Sequence, residues 1–444
     1  MPQPSLFRKI LPWLFVAVFF LCAPVLLLYT SGYRYNTKKN QVERNGTIIL
    51  DSTPSNARIF LDGKMMSATT PTTLQNITPG WHHLRIEKAD YTSWSKNLEI
   101  HAEQAVFANN IWLWKKISSP APLVVGGPLT RLKADPLDRH LGFLMETSTS
   151  TQIGFWIPDL LSSSALIAVP PLSRATSSLA ILSSLRWNDD GRYLIVGGTT
   201  LNEPAWWSGV EASSRHVQTL PSGLYRWSGK ELVGSDLQAH YRLTPQTGAF
   251  SRTTIRDPLL LDEEGSYSLN RSTTTHSLVL TDRLLWNRFF SLPSGNWRFM
   301  ERQRAFLLLH DQDRWLAINP QWYREPYAGR LTGDEPRWLP DAKIPTALFL
   351  NQNELWLWAL GDEPTLLWRQ SDPLIQAAWH RGGETVFVAT SRTLFALDLD
   401  DRDGRLTTPI AAFDQIYDFT ILDKVLYVAA RKDDQRGLWK IEVE

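Results

Sequence analysis

The sequence predicts an all-β protein behind one N-terminal transmembrane helix, with a small β-sandwich followed by a seven- or eight-bladed β-propeller. Three observations favour this fold class: one uncharged apolar stretch near the N-terminus, recurring pairs of short strands, and 20 tryptophans in 444 residues. Large rings at recurring positions are typical of packing between repeated sheets. The predicted segments are a cytoplasmic N-terminus (1–10), a transmembrane anchor (11–29), a tether (30–45), the sandwich (46–114), a linker (115–122) and the propeller (123–444).

Charge and cysteine content exclude several classes of protein. The chain has 46 basic and 45 acidic side chains, which gives a formal net charge of +1. A nucleic-acid binder needs a clustered basic excess, so we expect no nucleic-acid partner. Cys22 is the single cysteine, which excludes an intrachain disulfide and a multi-cysteine metal site. We expect no cofactor and no metal.

The predicted anchor is the stretch Leu11 to Tyr29, which contains 19 residues and no charge. As a helix it spans roughly 28 Å, close to the thickness of a bilayer's hydrocarbon core. No other apolar stretch of comparable length follows. The sequence therefore predicts one membrane span.

Two alternatives to an uncleaved anchor fit the residues less well. A signal peptide cut after Ala23 would place Pro24 at the next position, which is unfavourable. A lipoprotein modified at Cys22 would have small residues before it, but Phe20 and Leu21 stand there.

The orientation of the anchor is argued from the size of the domains that follow it. Basic residues follow the span at Arg34, Lys38, Lys39 and Arg44, so the local charge does not favour an inside N-terminus. Large domains are nevertheless translocated largely regardless of charge, and the body after the span has no cysteine. We therefore expect the C-terminal body outside the cytoplasmic membrane.

The block 46–114 shows the alternation of half-buried strands. Ala57, Ile59 and Leu61 alternate with other residues, and the Asp62-Gly63 pair predicts a tight hairpin turn. The spacing of the motif residues resembles that of the PEGA domain, a small β-sandwich of bacterial envelope proteins. The motif residues are Ser52, Pro54, Ala57, Asp62, Gly63, Thr70, Pro71, Pro79, Gly80, His82 and Tyr91. The resemblance implies an envelope protein and no catalytic residues. Asn56 and Asp90 stand where that family usually has glycine.

The remainder of the chain contains eight pairs of short strands. They are centred near residues 143, 194, 232, 279, 307, 356, 387 and 426. Their mean step of about 40 residues is typical of propeller blades. The segment from Leu185 to Gly198 resembles the sequence pattern of blades in WD-like and TolB-like propellers. Leu123 to Val125 is predicted to close the ring by joining the sheet of the 424–443 hairpin. An irregular pair of β-sandwiches is the alternative.

The acidic run before Gly404 raises the question of a calcium loop. Such a loop needs three aspartates two residues apart, but Leu399 occupies the first ligand position before Asp401 and Asp403. A solvated hairpin between two blade strands is therefore expected. The adjacent His82 and His83 point to opposite faces of a strand, which excludes a shared metal and leaves His82 a packing or turn residue.

The aromatic residues supply the candidate binding site. Trp187 and Trp379 lie on predicted strands and are expected to pack between blades, whereas two pairs near strand ends are the candidate partner-binding residues: Trp206, Trp207, Trp322 and Tyr323. Exposed rings of this kind stack on sugars or anchor peptides. No nucleophile elbow or glycine-rich phosphate loop is present in the sequence, so no catalytic residue is predicted.

Together these features favour a non-enzymatic function. The expected protein is a membrane-anchored, extracytoplasmic binding or structural protein of the bacterial cell envelope, whose propeller recognises an envelope protein or a cell-surface glycan. The alternative is a propeller-type hydrolase or lyase acting on surface polysaccharide, which requires charged side chains from several blades to converge at the channel mouth. A sensor or assembly subunit of a membrane complex is a third possibility.

Overall fold

Strands form almost all of the regular structure, in a computed structural model that covers the chain with gaps. It describes residues 6–30, 33–36, 41–116, 120–125, 127–137, 139–146, 151–156, 167–168, 181–188, 190–199, 206–211, 217–220, 224–228, 231–235, 239–244, 249–254, 260–261, 267–271, 278–282, 289–295, 297–311, 314–321, 327–333 and 335–443. The chain divides into two units. Unit 1 comprises Met1–Lys116, Asp400–Leu406 and Glu444, and unit 2 comprises Ile117–Leu399 and Thr407–Val443.

Helix α1 spans Leu6–Thr30 and so includes the predicted anchor. Among its described side chains are several exposed apolar ones, such as Trp13 at 75% and Phe20 at 70% exposure. Counting only residues whose side chains the structure describes, no helix reaches the length and hydropathy of a membrane span. The predicted helix is present, and its role as an anchor stays a prediction.

Two short strands follow the helix within the predicted tether. Strands β1 (Tyr33–Asn36) and β2 (Gln41–Arg44) pair antiparallel. This part of the chain therefore contains regular structure, whereas the sequence predicts only a polar connection.

The rest of the N-terminal part of unit 1 forms two sheets around one apolar core. Its strands are β3 (Gly46–Thr53), β4 (Arg58–Leu61), β5 (Lys64–Thr69), β6 (Thr72–Ile77), β7 (Gly80–Glu87), β8 (Trp94–Ile100) and β9 (Ala105–Trp112). The sheet orders are β6-β3-β9 and β5-β4-β7-β8. Ile48 and Ile111 from the first sheet share a buried cluster with Ile59 and Leu84 from the second. The predicted small β-sandwich is confirmed.

Several turn residues of this sandwich have the positive φ that glycine adopts most easily. Asp62 and Gly63, between β4 and β5, both have positive φ (51° and 78°), as the predicted hairpin requires. Asn56 and Asp90 also have positive φ, at 60° and 65°. Glycine adopts this conformation without steric cost, and Asn and Asp tolerate it better than most residues. The two departures from the family pattern therefore keep the backbone geometry.

Unit 2 consists of eight four-stranded antiparallel sheets in the described residues. We number them along the chain by their first strands. Sheet 1 contains β11 (Leu129–Ala134), β12 (Leu141–Glu146), β13 (Thr151–Trp156) and β14 (Ile167–Ala168); sheet 2 β15 (Ile181–Trp187), β16 (Tyr193–Thr199), β17 (Trp206–Glu211) and β18 (Val217–Leu220); sheet 3 β19 (Leu224–Ser228), β20 (Glu231–Ser235), β21 (Ala239–Thr244) and β22 (Ala249–Thr254); and sheet 4 β23 (Leu260–Leu261), β24 (Tyr267–Arg271), β25 (Leu278–Asp282) and β26 (Phe289–Ser291).

The four remaining sheets repeat this pattern. Sheet 5 contains β27 (Arg298–Gln303), β28 (Phe306–Asp311), β29 (Arg314–Ile318) and β30 (Tyr327–Thr332); sheet 6 β31 (Arg337–Trp338), β32 (Thr346–Asn351), β33 (Glu354–Ala359) and β34 (Thr365–Arg369); sheet 7 β35 (Leu374–Trp379), β36 (Thr385–Thr390), β37 (Thr393–Asp398) and β38 (Thr407–Ala412); and sheet 8 β39 (Gln415–Leu422), β40 (Val425–Lys432) and β41 (Gln435–Glu442) with β10 (Ala121–Val125). The centre of each of the eight predicted strand pairs falls on a strand of a different sheet.

Sheet 8 combines the two ends of unit 2. Strand β10 pairs antiparallel with β41, placing Ala121 opposite Lys440 and Val124 opposite Leu438. This is the pairing that the sequence predicts for the run near residues 122–126. The final sheet is thus completed by the strand that precedes sheet 1.

Buried apolar clusters connect consecutive sheets. Trp187 of sheet 2 packs with Phe155 of sheet 1, and Phe349 of sheet 6 packs with Trp315 of sheet 5. Sheet 1 also shares a cluster with sheet 8, through Phe143 and other residues. The first and last sheets of the series are therefore in contact.

Candidate functional site

Three tryptophans connect neighbouring sheets of unit 2 by the same kind of hydrogen bond. In each case the indole Nε1 donates to a backbone carbonyl on the first strand of the preceding sheet. The bonds run from Trp187 to Lys133 (3.0 Å), from Trp227 to Arg186 (3.2 Å) and from Trp379 to Arg337 (2.8 Å). All three accepting residues are basic. The packing between sheets thus fixes the backbone from which these basic side chains project.

The side chains of the first strands meet although their sheets are distant in the chain. Arg186 Nη2 on sheet 2 lies 2.5 Å from Glu335 Oε1, next to sheet 6. The Lys133 ammonium on sheet 1 interacts electrostatically with both of these groups and with Arg337 and Asp418. We call the following residues the inner-strand cluster: Lys133, Arg186, Glu335, Arg337, Gln376 and Asp418.

Gln376 on sheet 7 bridges the two neighbouring sheets within this cluster. Its Oε1 accepts a hydrogen bond from Arg337 Nε (2.5 Å), and its Nε2 donates to Asp418 Oδ1 (3.0 Å). Asp418 Oδ2 accepts a further bond from the backbone N–H of Leu132 on sheet 1 (2.9 Å). This chain of bonds joins sheets 6, 7, 8 and 1 and holds the Arg337 guanidinium in place.

The two carboxyl groups of the cluster lie in different electrostatic environments. Burial raises the pKa of Asp418, although the Arg131 charge and hydrogen bonds from Leu132, Gln376 and Phe419 oppose the rise. Burial acts in the same direction on Glu335, but the charge and hydrogen bond of Arg186 outweigh it and hold its pKa below the ordinary value. Glu335 is therefore the stable anion of the cluster.

Lys133 is the least satisfied cation of the cluster. Its side chain is accessible to solvent, yet so many protein atoms surround the ammonium group that desolvation lowers its pKa, helped by the nearby Arg337 charge. Within the described part of the chain, no hydrogen bond or ion pair reaches Lys133 Nζ. Glu335 and Asp418 partly oppose this shift, and a further anion placed close to the ammonium would favour its charged form.

The balance of charge in the cluster is positive. Three cations, Lys133, Arg186 and Arg337, face two carboxyl groups, and Arg131 adds a fourth cation beside Asp418. Such an excess of positive charge favours an anionic group over a cationic one. One sequence pattern could have indicated this cluster. An arginine followed directly by a tryptophan recurs on three first strands, at Arg186, Arg226 and Arg337.

The structure describes two of the four predicted partner-binding residues. Trp206 and Trp207 begin β17, the third strand of sheet 2, opposite Gly198 and Gly197. Trp322 and Tyr323 lie outside the described residues. Trp206 and Trp207 thus lie on a third strand and not on the first strands that carry the inner-strand cluster, and the role of all four residues in binding stays a prediction.

The tryptophans assigned to packing are buried as predicted. Trp187 and Trp379 are each 7% exposed, and each lies in an apolar cluster shared by two sheets.

The acidic run of Asp400–Leu406 belongs to unit 1 and surrounds a lysine. The Lys96 ammonium, 2% exposed, donates to the backbone carbonyls of Asp400 (2.5 Å), Arg402 (3.1 Å) and Gly404 (3.0 Å). These carbonyls form the kind of oxygen cage that a bound cation would use, and a side chain of the protein fills it. Among the described residues, no group of three or more His, Cys, Asp or Glu side chains could hold a metal ion.

His82 has the turn role that the sequence predicts. Its Nδ1 lies 2.7 Å from Asp62 Oδ2 in the hairpin turn, and its Nε2 lies 2.7 Å from the Thr78 carbonyl oxygen. Burial alone would raise the pKa of Asp62, but hydrogen bonds from His82 and His83 lower it below its ordinary value. The histidine therefore fastens two turns of the sandwich.

Comparison with known proteins gives a family match for the sandwich. Residues 45–110 match the family model of the PEGA domain. A search of curated proteins gives no match. Among solved structures, the chain is similar to a chain in the crystal structure of a mitotic checkpoint complex, at 13% identity and a TM-score of 0.35, covering 73% of this chain and 97% of that one. At that TM-score the likeness supports no conclusion.

Proposed function

We propose that this chain is a membrane-anchored, extracytoplasmic binding protein of the bacterial cell envelope, with an eight-bladed β-propeller as its recognition domain. The inner-strand cluster is its main binding site for an envelope protein or a surface glycan. The convergence of side chains from sheets 1, 2, 6, 7 and 8 on one place carries this proposal.

The closed ring is supported by two features of unit 2. The β10–β41 pairing completes the last sheet with a strand from the start of the domain, which is how many propellers fasten their ends. The Arg186–Glu335 ion pair joins sheets 2 and 6, whose first strands face each other if the eight sheets surround a common axis. The inner-strand cluster then lines the central channel.

The membrane anchor is supported by helix α1. Its exposed apolar side chains, such as Phe15 at 67% and Leu21 at 74% exposure, have no cover among the described residues. A hydrocarbon environment would remove that apolar surface from water. The match to the PEGA domain, a family whose resemblance implies the envelope, favours the same location.

The location is tested by protease accessibility. Protease added to intact spheroplasts is expected to digest the body after residue 30, leaving a short protected fragment. Complete protection of the body, with digestion only after lysis, would place it in the cytoplasm.

Binding is tested by retention of the purified full-length protein on native envelope fractions. We expect retention to fall in Lys133→Met, with unchanged melting temperature, and to fall in Trp206→Ala or Trp322→Ala if the aromatic faces contribute. Exposed Lys343→Met is the matched control and should bind normally. Pretreating the envelope with proteinase separates a protein partner from a glycan. Normal retention of all these variants would contradict a binding site in unit 2.

The same convergence favours one alternative function. A propeller-type hydrolase or lyase acting on surface polysaccharide needs charged side chains from several blades at one site, and the inner-strand cluster meets that condition. Incubation of the purified protein with acidic polysaccharides, followed by chromatography of the products, decides between the two. Chain shortening that is lost in Lys133→Met would replace the binding function with the enzymatic one.

A further inference from the structure

We propose that the inner-strand cluster binds an oxyanion, namely a carboxylate or phosphate group carried by the ligand. This inference rests on the proposed function, because it specifies the chemistry of the partner recognised at that site. Inorganic phosphate and glucuronate are simple representatives of the two sources of such a group.

Glu335 shows how the site accommodates a carboxylate. Its Oε1 lies 2.5 Å from Arg186 Nη2, and the group is half exposed at 51%. Arginine presents planar donors that match the oxygens of carboxylate and phosphate groups. An anion on the ligand would be held by the same guanidinium, in competition with Glu335 or beside it.

Arg337 is the second arginine of the site, and its orientation is fixed. Its Nε donates to Gln376 Oε1, and its Nη1 donates to the Glu335 carbonyl oxygen at 2.9 Å. Its own carbonyl accepts the Trp379 indole bond. Because these contacts restrain both backbone and side chain, little conformational entropy remains to be lost when an anion binds.

Lys133 supplies the unsatisfied charge. It faces Arg186 and Arg337, two cations, and within the described chain it has no direct bond to Glu335 or Asp418. An oxyanion placed among Lys133, Arg186 and Arg337 would relieve the repulsion between these three cations.

The ionisable groups that face Lys133 come from several sheets. They are Arg186 on sheet 2, Glu335 and Arg337 at sheet 6, and Asp418 on sheet 8. Glu335 is the one that competes with a ligand, because it already occupies Arg186. Replacing it with glutamine removes a negative charge and keeps the shape of the side chain.

The test is isothermal titration of the full-length protein in detergent with inorganic phosphate, with glucuronate and with neutral glucose. We expect phosphate, glucuronate or both to bind, more weakly at high salt, and glucose not to bind. Lys133→Met should weaken binding by about tenfold or more, the size expected for one lost charge-assisted bond. Lys133→Arg should retain it, and Lys343→Met should leave it unchanged.

Glu335→Gln distinguishes an anion-binding site from an ion network that only stabilises the fold. We expect it to strengthen anion binding by about threefold or more, because it removes the internal competitor. Circular dichroism and melting temperature show whether each variant folds. Preference for phosphate or for glucuronate identifies the source of the oxyanion.

Four outcomes decide the inference and separate it from the proposed function. No binding of either anion by the folded protein overturns it, and so does binding that Lys133→Met leaves unchanged. Retention on envelope fractions that is unaffected by Lys133→Met and by added phosphate overturns the oxyanion site but leaves the binding function intact. Anion binding without retention on envelopes has the opposite meaning, since the site stands and the proposed function fails.

Discussion

The ammonium group of Lys96 satisfies three backbone carbonyl groups of the 400–404 segment at once. Lys96→Met keeps much of the side-chain volume but leaves these acceptors without their donor, and Asp400 loses a nearby positive charge. We expect the free energy of unfolding to fall by about 3 kcal/mol, measured by denaturant titration of the full chain. Lys64→Met, on the exposed strand β5, is the control and should change little. An equal effect of both substitutions would show that the three carbonyl bonds of Lys96 do not stabilise the fold.

Asp62 predicts a dependence of stability on acid. Because its pKa is lowered in the folded state, its contribution is fully present above the unfolded value near 3.8 and is lost as the pH falls through the lower folded value. Asp62→Asn should therefore lower the urea midpoint above pH ~4 and flatten its decline below that pH. The exposed Asp51→Asn is the control. A wild-type decline that survives in Asp62→Asn would assign it to another group.

Some side-chain contacts can be predicted from the sequence and others cannot. The role of His82 was predictable, because its partner Asp62 lies in a recognisable turn within the same family motif. The Arg186–Glu335 pair was not, since its members are 149 residues apart and only the arrangement of eight sheets brings them together. Charge balance conceals such a site, because a net charge of +1 is compatible with local clusters of either sign.

At the scale of elements, a tryptophan between two sheets contributes to stability through its indole hydrogen bond and through its buried ring. Trp379→Phe keeps a large ring but loses the 2.8 Å bond to the Arg337 carbonyl, so we expect a loss of about 1 kcal/mol in unfolding free energy. Trp379→Ala also removes buried apolar surface, and about 3–5 kcal/mol should be lost. Calorimetry of the two variants measures the difference. Similar losses for both would show that the ring alone matters.

Strand prediction succeeded where strands are buried on both faces. Strands β28 and β36 have nearly every side chain buried, so their continuous apolar runs stand out in the sequence. The last strand of sheet 1, β14, and the first strands of sheets 4 and 6, β23 and β31, contain two residues each, too few for a periodic signal. Five of the six cluster residues lie on first strands, and the sequence does not show which of these strands meet, so the repeat could be predicted but the candidate site could not.

At the scale of the whole chain, the most consequential prediction from the sequence was that the two ends of unit 2 share a sheet. It could be made because a domain of repeated sheets must satisfy the edges of its terminal strands, and a short β-rich run follows the linker. The pairing of Ala121–Val125 with β41 confirms it. The order of charges around the repeats could not be inferred in this way, since it depends on which residue each first strand places at the same position.

An engineered disulfide tests this closure directly. Ala121 and Lys440 are opposite each other in the β10–β41 register, and residues so placed have Cβ atoms close enough to be bridged. In a Cys22→Ser background, Ala121→Cys with Lys440→Cys should oxidise readily and raise the free energy of unfolding by about 2–4 kcal/mol, because the bond constrains the unfolded chain. Ala121→Cys with Lys432→Cys, on β40, is the control, since β40 does not pair with β10. Mobility on non-reducing gels reports the bond, and thermal unfolding reports its effect. If the control pair forms as readily as the Ala121–Lys440 pair, the two ends of unit 2 are not held in one sheet in solution, and the proposed ring loses its main support.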